Sequence, residues 1–195
     1  IDHPRVWTAK QAMMPAFMPK SLLVVGSGAI GIEFASFYRT MGSEVTVVEM
    51  QNRILPQEDT EISSLAQKSF EKQGIHFHLN TTVSNLNPGT EKVRVVLQSM
   101  GEKQSETECD AIIVAIGIIG NTDDIGLENT NIKFDRGQIE INEWCETAEP
   151  GIYAIGDVAG APWLAHKASH QGIICVEKIA KLNHVQPLKI DNIPG

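Results

Sequence analysis

A glycine-rich turn between an apolar segment and a helical pattern constrains this chain more than any other feature. Residues 21–26 form a continuous apolar, β-branched run, which is typical of a central strand buried on both faces of a parallel sheet. Gly26-Ser27-Gly28-Ala29-Ile30-Gly31 then gives the spacing G-x-G-x-x-G. Apolar residues recur at helical intervals from there to Gly42, and residues 44–48 follow as the next strand. This strand-turn-helix-strand order predicts an α/β fold.

In this position each glycine of the turn has a physical reason. Gly26 permits a tight turn, Gly28 lets the backbone approach a pyrophosphate, and Gly31 lets helix and strand pack closely. The start of the helix offers free N–H groups and a positive dipole to phosphate, so residues 26–31 are all candidate cofactor-binding residues. A purely structural glycine turn is the alternative.

Glu49 follows the second strand, about 20 residues beyond the turn, where an acid can accept hydrogen bonds from an adenosine ribose. A carboxylate there repels a 2′-phosphate, so the sequence predicts NAD(H) rather than NADP(H). Arg53 lies close by in the sequence and leaves that preference open.

The rest of the chain alternates between helical and strand patterns. They lie at residues 59–74 (helix), 75–79 (strand), 81–107 (antiparallel hairpins), 109–117 (strand), 137–141 and 151–155 (short strands) and 164–182 (helix). We therefore predict a Rossmann-like parallel sheet with helices and an inserted antiparallel β-meander.

Composition excludes several classes of protein. The formal net charge is -8 and no basic run stands out, which disfavours nucleic-acid binding. No apolar run approaches the roughly 20 residues of a membrane span, so we expect a soluble protein. Three cysteines without C-x-x-C spacing indicate a reducing compartment, the cytoplasm or the mitochondrial matrix, and we expect each to be a small buried hydrophobe. A start at Ile1 and an end in a turn at residues 193–195 suggest a piece of a longer protein.

Four further residues admit two interpretations. Glu33 falls in the first helical turn, where it either complements the helix dipole or faces the nicotinamide end of a cofactor. Asp157 either caps a turn or accepts hydrogen bonds from a bound sugar or polyol. His166 and His170 stand four apart on a helix but lack an intervening Glu and a third ligand, so no metal site is predicted. No catalytic residue can be assigned from spacing.

Five of these segments together resemble the dihydrolipoamide dehydrogenase family of pyridine nucleotide-disulfide oxidoreductases. They are residues 26–33, Glu49, Ala115-Ile116-Gly117, Gly156-Asp157 and residues 164–168. The resemblance implies a homodimeric flavoprotein, the E3 component of 2-oxo acid dehydrogenase complexes. Such an enzyme reoxidises protein-bound dihydrolipoamide and passes electrons through a redox disulfide and FAD to NAD⁺.

The resemblance also implies residue roles. Gly26, Gly28 and Gly31 would hold the NAD pyrophosphate, Glu49 the ribose, and Val83 and Gly117 would line the same site. Glu33 would lie near the nicotinamide and the flavin, and Asp157 and Ala165 would contact FAD. Three prolines within residues 1–20 already predict a lead-in segment with one short helix at 8–13. The resemblance adds a NAD-binding domain at 21–145 and part of an FAD-binding domain at 146–195.

Departures from the family pattern limit the activity expected of these residues. An FAD-binding G-x-G-x-x-G, a C-x₄-C redox pair and the family's His-Glu acid-base pair are absent from this sequence, and Ile118-Ile119-Gly120-Asn121 replaces a stretch with Arg and Pro. We expect NAD(H) binding without lipoamide turnover, and poor flavin binding. The alternatives are a related FAD-dependent disulfide or ferredoxin reductase, or a non-catalytic fragment that self-associates through the last helix, with Ile173, Ile174, Val176, Ile179 and Leu182 exposed.

Overall fold

The structure, a computed structural model, describes residues 2–101 and 104–194. Ile1 and Gly195, which carried the expectation of a longer protein, lie outside these residues, as do Glu102 and Lys103 in the expected meander. The chain forms two compact units, one ending at Gly117 and the other beginning at Ile118. The boundary after residue 145, between the expected NAD-binding domain and the expected FAD-binding segment, stays a prediction.

The described residues of the first unit form eight strands and three helices. In chain order they are β1 (Val6–Trp7), α1 (Ala9–Met13), β2 (Ser21–Val25), α2 (Ala29–Thr40), β3 (Glu44–Val48), α3 (Thr60–Lys72), β4 (Ile75–His78), β5 (Thr81–Pro88), β6 (Val93–Ser99), β7 (Ser105–Cys109) and β8 (Ala111–Val114). Five of the strands form a parallel sheet in the order β1-β8-β2-β3-β4. The expected strand at 109–117 is shorter, because Cys109 belongs to β7.

The remaining three strands form the antiparallel meander β5-β6-β7, with a bulge between Val83 and Asn85. The α/β fold with a parallel sheet and a β-meander is therefore confirmed. Strand β2 shows why its sequence is continuously apolar. Leu22 and Val24 pack into a core with the helices, whereas Leu23 packs on the opposite face with residues of the meander.

Helix boundaries follow from local side-chain chemistry. Asp59 caps α3 by accepting hydrogen bonds from the backbone N–H groups of Glu61 and Ile62. The short helix expected at 8–13 forms as α1, with Thr8 as its N-cap. A buried hydrogen bond of 2.7 Å from the Tyr38 hydroxyl to the carbonyl oxygen of Ala12 fastens α1 to α2.

The second unit has little regular structure apart from one long helix. Its elements are β9 (Phe134–Asp135), β10 (Gln138–Ile139) and α4 (Ala165–Ile179), with single 3₁₀ turns at Leu127–Asn129, Gly156–Ala159 and Ile190–Asn192. The strand predicted at 151–155 is reduced to one bridge between Tyr153 and Glu146, because positive-φ glycines at 151 and 156 turn the backbone at both of its ends.

Side-chain exposure decides two further expectations. Cys109, Cys145 and Cys175 are buried free thiols, as predicted. Along α4 and just beyond it, Ile173, Val176, Ile179 and Leu182 are exposed. Ile174 is half-buried, contrary to expectation, because it lines a cavity within the second unit. Self-association through this face stays a prediction, which light scattering over a range of concentrations would check.

No helix among the described residues is long and apolar enough to cross a membrane.

Candidate functional site

The candidate site lies at the carboxyl edge of the parallel sheet. The glycine turn follows β2, Glu49 follows β3, and residues 115–117 follow β8. Strand β2 pairs with both β3 and β8 in parallel, so these three segments leave the sheet side by side. Ligands of open α/β sheets bind at this edge.

Two glycines of the turn are required by packing within the chain. Gly26 has a φ of +100°, and a Cβ on it would overlap the carbonyl oxygen of Ala115 and lie 2.9 Å from the carbonyl carbon. A Cβ on Gly31 would overlap the carbonyl oxygen of Gly26 and lie 3.0 Å from its carbonyl carbon. The roles expected of these two residues in the tight turn and in helix-strand packing therefore have a steric basis here.

Gly28 and Gly117 differ from that pair. A Cβ on either would meet no atom of residues 2–101 and 104–194 within 4 Å. Gly28 is the N-cap of α2 and brings no capping side chain, so it leaves the first N–H groups of the helix uncapped. Ala29 and Ile30 supply the first two of these groups. Because no contact among the described residues requires a glycine at position 28, the arrangement fits a ligand phosphate that approaches the backbone closely.

Glu49 is tied to the glycine turn rather than free in solvent. Its Oε2 accepts 2.9 Å and 2.7 Å hydrogen bonds from the backbone N–H and the hydroxyl of Ser27, and its Oε1 accepts one of 2.8 Å from the N–H of Gln51. Ser27 is 0% exposed and Glu49 6%. Sequence reasoning placed Ser27 only within the motif. Its sole distinguishing signal was a hydroxyl at a position where the motif accepts any residue.

Three other predicted residues lie in the same unit. Glu33 is exposed, but it is the fifth residue of α2 and lies outside its first turn, so its expected place in that turn is wrong. This weakens the explanation by the helix dipole, which acts mainly on the terminal turn. Val83 is half-buried in β5 against the core that contains Val48, and Gly117 is exposed.

Arg53 lies in the loop that follows Glu49. One terminal nitrogen of its guanidinium donates a 2.9 Å hydrogen bond to the carbonyl oxygen of Pro56. Its Nε is buried and, among the described residues, has no hydrogen-bond partner. The loop is itself held to the glycine turn, because the N–H of Leu55 donates a 2.9 Å bond to the carbonyl oxygen of Ser27.

In the second unit, side chains of helix α4 hydrogen-bond to both the N–H and the carbonyl oxygen of Gly156. The N–H of Gly156 donates a 2.8 Å bond to Gln171 Oε1, and its carbonyl oxygen accepts a 3.2 Å bond from Lys167 Nζ. Lys167 also donates to the carbonyl oxygen of Gly160. The adjacent Asp157 and Ala165, the first residue of α4, are exposed.

Lys167 is only 2% exposed, which sequence reasoning missed because a lysine on a helix normally reaches solvent. Burial lowers the pKa of this ammonium group, while Asp157 and Cys145 act in the opposite direction. The only sequence signal is the spacing of four between Lys167 and Gln171, which places two polar side chains on one helix face.

Histidines do not add a metal centre to either unit as described. His166 and His170 are exposed, and His166 Nε2 forms a 3.0 Å hydrogen bond with the carbonyl oxygen of Pro194. Over residues 2–101 and 104–194, no three His, Cys, Asp or Glu side chains are placed to share a metal ion.

Comparison with known proteins agrees with the geometry. The family model described as pyridine nucleotide-disulphide oxidoreductase matches residues 1–172. The chain is 48% identical to dihydrolipoyl dehydrogenase of Zymomonas mobilis over 194 residues, covering 100% of this chain and 42% of that protein.

Solved structures give the same result. LpdA from Mycobacterium tuberculosis matches with a TM-score of 0.85 and 30% identity over 96% of this chain and 40% of its own. The HOCl-induced flavoprotein disulfide reductase RclA from Escherichia coli matches with a TM-score of 0.84 and 26% identity, over 98% of this chain and 42% of its own. The chain thus spans about two fifths of the length of these proteins.

Proposed function

The chain belongs to the pyridine nucleotide-disulphide oxidoreductase family, and we propose that its first unit is a binding site for NAD(H). One contrast carries the proposal. Gly26 and Gly31 are closed in by the backbone, whereas Gly28 and Gly117 face open space at the same sheet edge. A ligand that occupies the space where a Cβ would lie explains why Gly28 and Gly117 carry no side chain.

Residues at the carboxyl edge of the sheet would each contact a different part of the dinucleotide. The N–H groups at the start of α2 would receive the pyrophosphate, where the helix dipole adds to their attraction for an anion. Glu49 would accept hydrogen bonds from the adenosine ribose, and Val83 and Gly117 would line the pocket. Glu33, exposed one turn into the helix, would lie toward the nicotinamide, the ring that supplies hydride transfer when the dinucleotide is bound.

We further propose a preference for NADH over NADPH. The Glu49 carboxylate would repel a 2′-phosphate. Arg53, whose charge would act in the opposite direction, donates to the carbonyl oxygen of Pro56 and, among the described residues, forms no ion pair with Glu49.

The second unit would contribute two residues to a flavin site in the larger enzyme. Asp157 is exposed and follows Gly156, whose backbone is hydrogen-bonded to α4, so its carboxylate is available to hydroxyls of FAD. Ala165 is the first residue of α4. These two residues alone would bind FAD poorly.

The larger enzyme would be a dihydrolipoamide dehydrogenase. This proposal follows from the 48% identity with the Zymomonas mobilis enzyme. It would act as a homodimer with lipoyl-bearing 2-oxo acid dehydrogenase complexes, in the cytoplasm or the mitochondrial matrix. A related flavoprotein disulfide reductase is the second candidate, favoured only by the likeness to RclA at 26% identity.

Equilibrium titration with NADH and NADPH, followed by nicotinamide fluorescence, tests the binding proposal. We expect tighter binding of NADH, weakened at least tenfold (about 1.4 kcal/mol) by Glu49→Ala. Glu44→Ala is the matched control, because Glu44 is an exposed acid at the opposite end of the same strand. Absence of NADH binding to the unmodified chain would refute the proposal.

A separate assay tests the expected lack of turnover. The chain is mixed with dihydrolipoamide and NAD⁺, with and without added FAD, and NADH formation is followed by absorbance. Measurable turnover would contradict the proposal that these residues bind the dinucleotide without completing the reaction.

A further inference from the structure

We propose that Ser27 is a positioning residue that acts through Glu49 and thereby sets the preference for NADH over NADPH. This inference rests on the proposed function of the first unit. It assigns the Ser27 side chain a role other than contact with the cofactor.

Burial and hydrogen bonding place the Ser27 hydroxyl inside the protein. Ser27 is 0% exposed, and its hydroxyl donates a 2.7 Å bond to Glu49 Oε2. A hydroxyl so placed is not presented to a ligand. It is presented to the carboxylate that the proposed site uses for the ribose.

The bonds around Glu49 are unevenly divided between its two oxygens. Oε2 accepts from both the hydroxyl and the N–H of Ser27, whereas Oε1 accepts from the N–H of Gln51. A carboxylate oxygen has about two lone-pair directions, so Oε1 retains capacity for a further donor. The Ser27 hydroxyl therefore fixes the carboxylate with Oε1 as the oxygen available to a ribose hydroxyl.

The turn gives this arrangement a rigid base. The N–H of Gly26 donates a 2.8 Å bond to the carbonyl oxygen of Val48, the residue before Glu49. The residues that precede Ser27 and Glu49 are thus hydrogen-bonded to each other at the end of the parallel sheet. Loss of the hydroxyl would leave the carboxylate with fewer restraints on its rotation, while the backbone stays in place.

The two dinucleotides should respond differently to that loss. NADH would use the Glu49 oxygen as an acceptor, so a misoriented carboxylate weakens its binding. NADPH carries a phosphate at the position that Glu49 repels, and gains nothing from a well-oriented carboxylate. For Ser27→Ala we expect NADH affinity to fall roughly tenfold and NADPH affinity by less than about threefold, on the scale of one charge-assisted hydrogen bond.

Ser43→Ala is the matched control. Ser43 is also a buried serine, and its hydroxyl donates a 2.6 Å bond to the carbonyl oxygen of Pro19. It lies at the amino end of β3, away from the candidate site. Thermal unfolding and circular dichroism of both variants establish whether each remains folded, and we expect Ser43→Ala to leave the ratio of the two affinities unchanged.

A double-mutant cycle tests whether Ser27 acts through Glu49. With Glu49→Ala already present, Ser27→Ala should cause no further loss of NADH affinity. Equal losses for NADH and NADPH, or a full additional loss in the Glu49→Ala background, would overturn the inference. Unchanged NADH affinity in Ser27→Ala, with a loss in Glu49→Ala, would also overturn it while leaving the proposed function intact. If the unmodified chain binds no NADH, both fail.

Discussion

Gly31 lies against the backbone of Gly26 so closely that no atom can be added between them. A Cβ on Gly31 would overlap the Gly26 carbonyl oxygen, and its other near neighbour is the Cβ of Ala115, 3.5 Å away. The distance between helix α2 and strand β2 is therefore set by the absence of a side chain. Gly28, three residues earlier, has no such constraint.

This contrast predicts opposite outcomes for two substitutions of the same size. Gly31→Ala should lower the free energy of unfolding by about 3 kcal/mol, because the clash is with backbone that cannot rotate away. Gly28→Ala should cost less than about 1 kcal/mol, the difference between these residues as helix N-caps, but should abolish or greatly weaken NADH binding. Urea unfolding and NADH titration of both variants measure the two effects. A stable Gly31→Ala protein would show that the packing is not tight.

The Tyr38 hydroxyl gives a second prediction. Tyr38 is fully buried, and its hydroxyl donates to the carbonyl oxygen of Ala12. Tyr38→Phe should lower the free energy of unfolding by about 1–2 kcal/mol, because a buried carbonyl oxygen loses its donor.

Thr40→Val is the control for Tyr38→Phe in urea unfolding. The Thr40 hydroxyl donates to the carbonyl oxygen of Ser36 on the exposed side of the same helix, where water can replace the hydroxyl as the donor. We expect a change within about 0.5 kcal/mol. Similar losses for the two variants would mean that burial of the Tyr38 bond confers no special stability.

Asp110 predicts a pH dependence of stability. Burial raises the pKa of this carboxyl, but the N–H groups of Ser21 and Lys20 and the ammonium of Lys92 outweigh burial and hold the pKa below its usual value. A lowered folded-state pKa means that its stabilisation is complete above the unfolded pKa of about 4 and is lost as the pH falls through the folded value.

Asp110→Asn should therefore cost about 1–2 kcal/mol at pH 7 and progressively less below pH 4, measured by urea unfolding against pH. Asp135→Asn is the control, because Asp135 pairs with Arg136 in an exposed ion pair and should contribute little at any pH. A constant difference between Asp110→Asn and the unmodified chain across this range would exclude the proposed linkage.

The buried thiols provide a chemical test of each unit. Burial raises the pKa of Cys109 to about 11 and also raises the pKa values of Cys145 and Cys175. At pH 8 we expect all three to react slowly with iodoacetamide in the native chain and rapidly in urea, since the thiolate is the reactive form. Peptide mass spectrometry would assign the sites. Rapid native labelling of Cys109 would contradict its placement in the core of the first unit.

Much of the first unit could be predicted from sequence because its signals are local. The strand at β2, the cap at Asp59 and the meander each follow from short-range patterns of apolar and turn-forming residues. The Ser27-Glu49 bond joins two segments about 20 residues apart, and its existence depends on where the sheet ends. Lys167 was missed for a related reason, since only the folded loop supplies the carbonyl oxygens of Gly156 and Gly160 that make a buried ammonium tolerable.

The order of strands in the parallel sheet also bears on how the unit is assembled during synthesis. Strand β8 lies between β1 and β2, yet it is the last strand of the sheet to be made. Neither neighbour can complete its pairing until residue 114 has emerged from the ribosome, whereas β2, β3 and β4 can pair as they appear. Such long-range closure slows folding. During that interval the backbone groups on one edge of the apolar strand β2 have no partner strand. The chain would therefore be most vulnerable to aggregation and to chaperone capture just before β8 is released.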